Sequence, residues 1–117
     1  MRRPREGVEK LRHGIRISPL DSRLSYWGSI LANTLFRLRE FEEARKEAEI
    51  ACGRDDRFAN PRVVLAMILT QLGQADEASR AMEEAKRLFP DLTASHVVGL
   101  IGRRGVKILR DASLLDQ

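Results

Sequence analysis

A single cysteine, Cys52, and two histidines, His13 and His96, are all the thiol and imidazole chemistry in the 117 residues. One thiol cannot build an internal disulfide framework, and a zinc site needs several converging Cys or His donors. Aromatic residues make up only 5%, and four prolines and eight glycines are too few for a low-complexity or collagen-like chain. No apolar run approaches the roughly 18 residues that a membrane-spanning helix needs. No alternating segment bounded by hairpin turns suggests a β-strand. The N-terminus carries Arg2, Arg3 and Arg5 but no apolar stretch behind them, so no secretory signal is expected and a cytoplasmic location is. With so little nucleophilic or metal-binding material, a non-enzyme without a cofactor is expected.

What is present is 43% hydrophobic and 32% charged residues, enough for one modest core in one domain over 1–117. Lys and Arg number 21 against 17 Asp and Glu, a net charge of +4. The basic excess sits at the ends, at Arg2, Arg3, Arg5, Lys10, Arg12 and Arg16, and again at Arg103, Arg104, Lys107 and Arg110. A net charge of this size mainly favours solubility; nucleic-acid binding would require a focused patch.

The most informative feature is self-similarity at an offset of 34. Leu31, Ala32, Leu35 and Leu38 fall on Leu65, Ala66, Leu69 and Leu72, Glu43 and Ala44 on Glu77 and Ala78, and Ala51 on Ala85. The apolar matches keep a 3–4 spacing, so each copy reads as two amphipathic helices. In the first copy Arg39-Glu40 breaks the leading stripe, and Ala44, Ala48 and Ala51 begin the next. In the second, Asn60-Pro61 opens a helix, Gly73 supplies the turn, Ala78, Met82 and Ala85 carry the second stripe, and Pro90 stops it. Small residues on each second helix allow close approach of the helix axes.

This unit resembles the tetratricopeptide repeat, a helix–turn–helix of 34 residues. In the second copy Leu65, Ala66, Leu69, Gly73, Ala78, Met82, Ala85 and Pro90 stand at the family's signature positions. In the first, Leu31, Ala32, Leu35, Ala44 and Ala51 match, while Gly28 stands where a large residue is expected, Arg39 at the turn Gly, Ala48 at the large second-helix position and Asp56 at the Pro. Trp27, one residue early, is expected to fill the space beside Gly28. The resemblance divides the chain into a partial repeat or capping helix over 1–19, repeats over 25–58 and 59–92, and atypical capping helices over 93–117. A start in mid-repeat suggests a module cut from a longer protein. Ser18-Pro19-Leu20-Asp21-Ser22-Arg23, followed by Asp91-Leu92-Thr93, also looks like bacterial tetratricopeptide domains at the ends of cyclase-like and transcription-regulator proteins. The implied fold is all-α, a right-handed α-α superhelix of antiparallel pairs, with about seven helices.

The resemblance further implies a concave groove, lined by the first helix of each pair, that receives a partner's peptide or helix. The positions carried over are Tyr26, Ser29, Asn33, Phe36 and Arg37 from the first repeat. Asn60, Val63, Met67, Thr70 and Gln71 come from the second, and Ala94, Val97 and Ile101 from the next helix. Ser29 and Val64 replace two residues of the family's carboxylate clamp, so that mode is not expected. Val63 and Met67 have an alternative role, as core residues against a neighbouring helix. The expected function is a scaffold or regulatory module that binds a protein. Two alternatives stay open: self-association through the apolar ends of a short stack, and anion or nucleic-acid binding through the basic ends.

Other candidate sites carry less. Arg103, Lys107 and Arg110 would share one helix face, as a patch for an acidic partner, phosphate or anionic lipid, or as a solvated terminal face. The acid pairs Glu42-Glu43, Asp76-Glu77 and Glu83-Glu84 are expected to face water or to pair with Arg and Lys at 3–4 spacing. Cys52 reads as a small hydrophobe, although Arg54 nearby could lower its pKa. Gly99, Gly102 and Gly105 follow no strand and lack the Lys-Ser/Thr ending of a phosphate loop.

Overall fold

Two tight turns, 34 positions apart, organise the chain. In the first, the Arg39 N–H donates to the Phe36 carbonyl at 2.9 Å and the Glu40 N–H to the Leu35 carbonyl at 2.9 Å. In the second, the Gly73 N–H donates to Thr70 at 3.1 Å and the Gln74 N–H to Leu69 at 2.9 Å. Residues 39 and 73 both have positive φ, 65° and 80°. This is the left-handed helix end that satisfies the last carbonyls and reverses the chain. Glycine adopts it freely; at Arg39 the Cβ costs on the order of 1 kcal/mol, so the turn persists without the glycine the pattern asks for.

The computed structural model describes residues 4–17, 24–54 and 57–116. Among them are six helices and no strand: α1 (Pro4–Ile17), α2 (Leu24–Arg37), α3 (Phe41–Arg54), α4 (Asn60–Gln71), α5 (Ala75–Leu88) and α6 (Ala94–Asp111). The run Ser18–Arg23 and position 56 lie outside the described residues. Helices α2/α3 and α4/α5 form antiparallel pairs, α3 and α2 both pack on α4, and α1 packs on α2. Ala44, Ala48, Ala51, Ala78 and Ala85 are all buried, which brings the paired axes close. Leu31, Leu35, Met67, Ile68 and Met82 fill the spaces between them.

The space beside Gly28 is closed by the neighbouring helix rather than by Trp27. A Cβ built on Gly28 would stand 2.8 Å from the Ala51 Cβ, so α2 and α3 touch there. Trp27 is 38% exposed and meets the Tyr26 ring edge-on at the surface.

Helix α6 departs from the stacking pattern. Continued stacking would pack it on both α4 and α5; it keeps α4, but among the described residues it meets α2 in place of α5. Gly102, at φ 76° and ψ 174°, bends it into two arms, 94–101 and 103–111. That backbone region is essentially restricted to glycine. The described helices number six against the seven or so expected, because the two last segments form one bent helix. Val97, Ile101, Val106 and Leu109 from both arms join the core.

A cleft between α2 and α6 as the candidate functional site

Helix α6 decides which of the expected groove residues can meet a partner. Val63, Met67 and Val97 are at most 1% exposed, and Ile101 is also buried. Of the two roles left open for Val63 and Met67, the structure supports the core one; Val97 joins them there. Gly105 allows this closure, since a Cβ on it would come within 2.8 Å of the Met67 Sδ. On the α2 side, Asn33 Nδ2 donates to the Leu100 carbonyl at 3.0 Å, just before the bend. Asn33 is itself buried, and its Oδ1 has no partner among the described residues.

The remaining groove positions separate. Ser29 is fully buried. The Thr70 hydroxyl donates back to the Ala66 carbonyl at 2.8 Å within its own helix. Tyr26 is half-exposed in the first turn of α2, about 16 Å from Arg37 by helical rise. Asn60 begins α4 and is half-buried. Phe36 and Arg37 stay together with Gln71 at the helix ends, where an open cleft of about 340 Å³ begins.

This cleft has an apolar floor and a cationic rim. Phe36 is 8% exposed and packs on Phe41, ring centroids 5.3 Å apart, with Ile108 of α6 beside them. Arg37, Arg39, Arg104 and Lys107 are exposed around these side chains. Lys107 pairs with Asp111 at 2.8 Å, whereas Arg37, Arg39 and Arg104 form no ion pair among the described residues. A second cavity of about 470 Å³ continues the cleft along α6 to Gly99, sharing Phe36, Arg37 and Arg104 and adding Asn33 and Arg103.

The expected basic face on α6 therefore divides. Lys107 lines the cleft. Arg110 borders a separate cavity with Ser95 and Val98, residues of the other arm, and Arg103 lies between that cavity and the continuation of the cleft. Arg110 Nε also donates to the Asp116 carbonyl at 3.3 Å. Sequence reading missed Arg39 and Arg104 as companions of Arg37. Arg104 and Lys107, three apart on one helix, carried part of that signal; the approach of α6 to α2 had none.

The other candidate chemistry resolves into structural roles. His96 Nδ1 accepts the Thr93 N–H at 3.0 Å, capping α6, and its ring lies 4.7 Å from that of Phe89. Cys52 is half-buried, and burial pushes its thiol pKa up, outweighing the opposite effect of Arg62. Arg54, the residue expected to lower it, is not among the causes. Glu42 pairs with Arg45 at 2.7 Å, and that hydrogen bond raises the Arg45 pKa. Glu84 pairs with Arg87, which lowers the Glu84 pKa. Among the described residues no three His, Cys, Asp or Glu side chains converge as metal ligands, and no helix is long and apolar enough to cross a membrane. No family model matches the chain, and no curated protein sequence matches it.

Proposed function

We propose that the protein is a non-catalytic protein-interaction module: a short right-handed stack of tetratricopeptide-like hairpins, with a scaffold or regulatory role. Its partner-binding surface is the cleft between the C-terminal end of α2 and the second arm of α6. One observation carries the reading: Phe36, Phe41 and Ile108 form an apolar floor that remains open beneath unpaired arginines. Recurrence of the turn hydrogen bonds at an offset of 34 supports the repeat part of it.

Energetics favour this cleft over the closed α2–α4 face. Exposing Val97, Ile101, Val106 and Leu109 to free that face would cost on the order of 6–12 kcal/mol, at about 1.5–3 kcal/mol per buried side chain. That rivals the entire stability of a typical domain, roughly 5–15 kcal/mol. A partner that uses the open cleft meets no such cost.

Site-specific photo-crosslinking tests the reading. A photoreactive residue at Arg37 or Arg104 is expected to capture one discrete polypeptide, and the same probe at Arg80 on α5 is not. Equal capture at both places, or none at the cleft, contradicts it.

A further inference from the structure

We infer that the partner segment is acidic and carries an aliphatic or aromatic anchor; this rests on the cleft being the interaction surface. Four cations on the rim, Arg37, Arg39, Arg104 and Lys107, face one carboxylate, Asp111, a formal balance of +3. The competing explanation is neutralisation of helix dipoles. Arg37, Gln71 and Asp111 are the last residues of α2, α4 and α6, so three C-terminal ends meet here. Each contributes roughly −0.5 charge, and the start of α3 at Phe41 returns roughly +0.5. The ends therefore offset only about a third of the excess, and the cleft stays cationic by roughly two charges.

Three of these cations are guanidinium groups without a carboxylate. Arginine forks match carboxylates in bidentate geometry, and a salt bridge at an open rim forms without burying an unpaired charge. The floor selects the second feature of the ligand. Phe41 and Ile108 are only partly buried, so an inserted apolar side chain would complete their burial. Nucleic acid fits less well, because the cations ring one cleft rather than track a backbone.

Fluorescence anisotropy with defined probes tests this on the full chain. A dye-labelled peptide alternating Glu with Leu and Phe is expected to bind, and to weaken as salt is raised. Its Lys-for-Glu counterpart is expected not to bind, and a Glu-Ser peptide lacking the anchors to bind at least about tenfold more weakly. The double variant R37S/R104S removes two exposed, unpaired side chains, and unchanged circular dichroism checks that its fold is retained. It is expected to lose about tenfold or more in affinity, the scale of one or two charge-assisted hydrogen bonds. The variant R80S on α5 is expected to bind unchanged. Failure of the acidic peptide, equal binding of the Glu-Ser peptide, indifference to R37S/R104S, or tighter binding of a single-stranded oligonucleotide each overturns the inference. If crosslinking at Arg37 still captures a polypeptide, the interaction surface stands and only the ligand chemistry falls; if both fail, the surface falls as well.

Discussion

Three glycines on α6 should respond in different directions to the same substitution by alanine. Gly99 is exposed and helical, and a Cβ added there would have nothing within 4 Å. Alanine at this position should stabilise the protein by about 0.8–1 kcal/mol, the helix-propensity difference. Gly102 also has nothing within 4 Å, but its φ of 76° excludes a side chain for backbone reasons. Its alanine variant should lose about 1–3 kcal/mol. Gly105 has helical backbone, yet a Cβ would stand 2.7 Å from the Ile101 Cβ and 2.8 Å from the Met67 Sδ. The Ile101 Cβ is fixed to its backbone and cannot swing away. Overpacking of about 1–3 kcal/mol should therefore outweigh the propensity gain of about 1 kcal/mol. Urea unfolding followed by far-UV circular dichroism resolves differences of this size. The order of stability should be G99A above wild type, then G105A and G102A below it. If G102A is as stabilising as G99A, α6 is a straight helix, and the placement of Arg104 and Lys107 over α2 is wrong.

Met67→Ala should destabilise by about 2–5 kcal/mol in the same assay, because the side chain is fully buried; a near-neutral result would return Met67 to an open groove. Asn33→Ala strips the Leu100 carbonyl of its donor at the bend and should cost about 1–3 kcal/mol. It should also speed hydrogen exchange in α6, and unchanged exchange would show that the bond does not hold α6 to α2. Cys52 should react slowly with iodoacetamide near neutral pH in the folded protein, its rate rising at higher pH than that of a free thiol. The linked stability has a definite sign. Folding raises this pKa, so the native state binds more protons, and the contribution is complete below the unfolded thiol pKa of about 8.5 and lost as pH climbs through the folded value. Stability that rises across that window because of Cys52 would contradict its burial; a C52A comparison isolates the effect.

The paired helices were legible because their signal is local. The 3–4 spacing of Leu31, Leu35 and Leu38, repeated at Leu65, Leu69 and Leu72, dictates an apolar stripe whatever lies opposite it. Alanines at Ala44, Ala51, Ala78 and Ala85 likewise announce close helix packing. The turn at Arg39 was legible from the broken stripe although its glycine is missing, and the chain accepts a strained residue there and keeps the same hydrogen bonds as at Gly73. Gly28 and Trp27 misled because a missing side chain reads as a hole, whereas the Ala51 side of α3 closes it. The cleft was the least legible part. Val97, Ile101, Val106 and Leu109 show that α6 buries one face, but amphipathic patterning does not say which neighbour covers it. Only the bend at Gly102, with the approach to α2 and α4, assembles Arg104 and Arg37 around Phe36 and turns Val63 and Met67 into core.

Amide chemical-shift mapping of the labelled protein with the Glu-Leu-Phe peptide tests the interaction surface most directly. Shifts concentrated at Arg37, Arg39, Arg104 and Lys107, with those of Tyr26, Trp27 and Phe58 at the opposite end unmoved, are the predicted result. Shifts centred on that opposite end, or spread through Val63, Met67 and Val97 as α6 lifts away, would contradict the account.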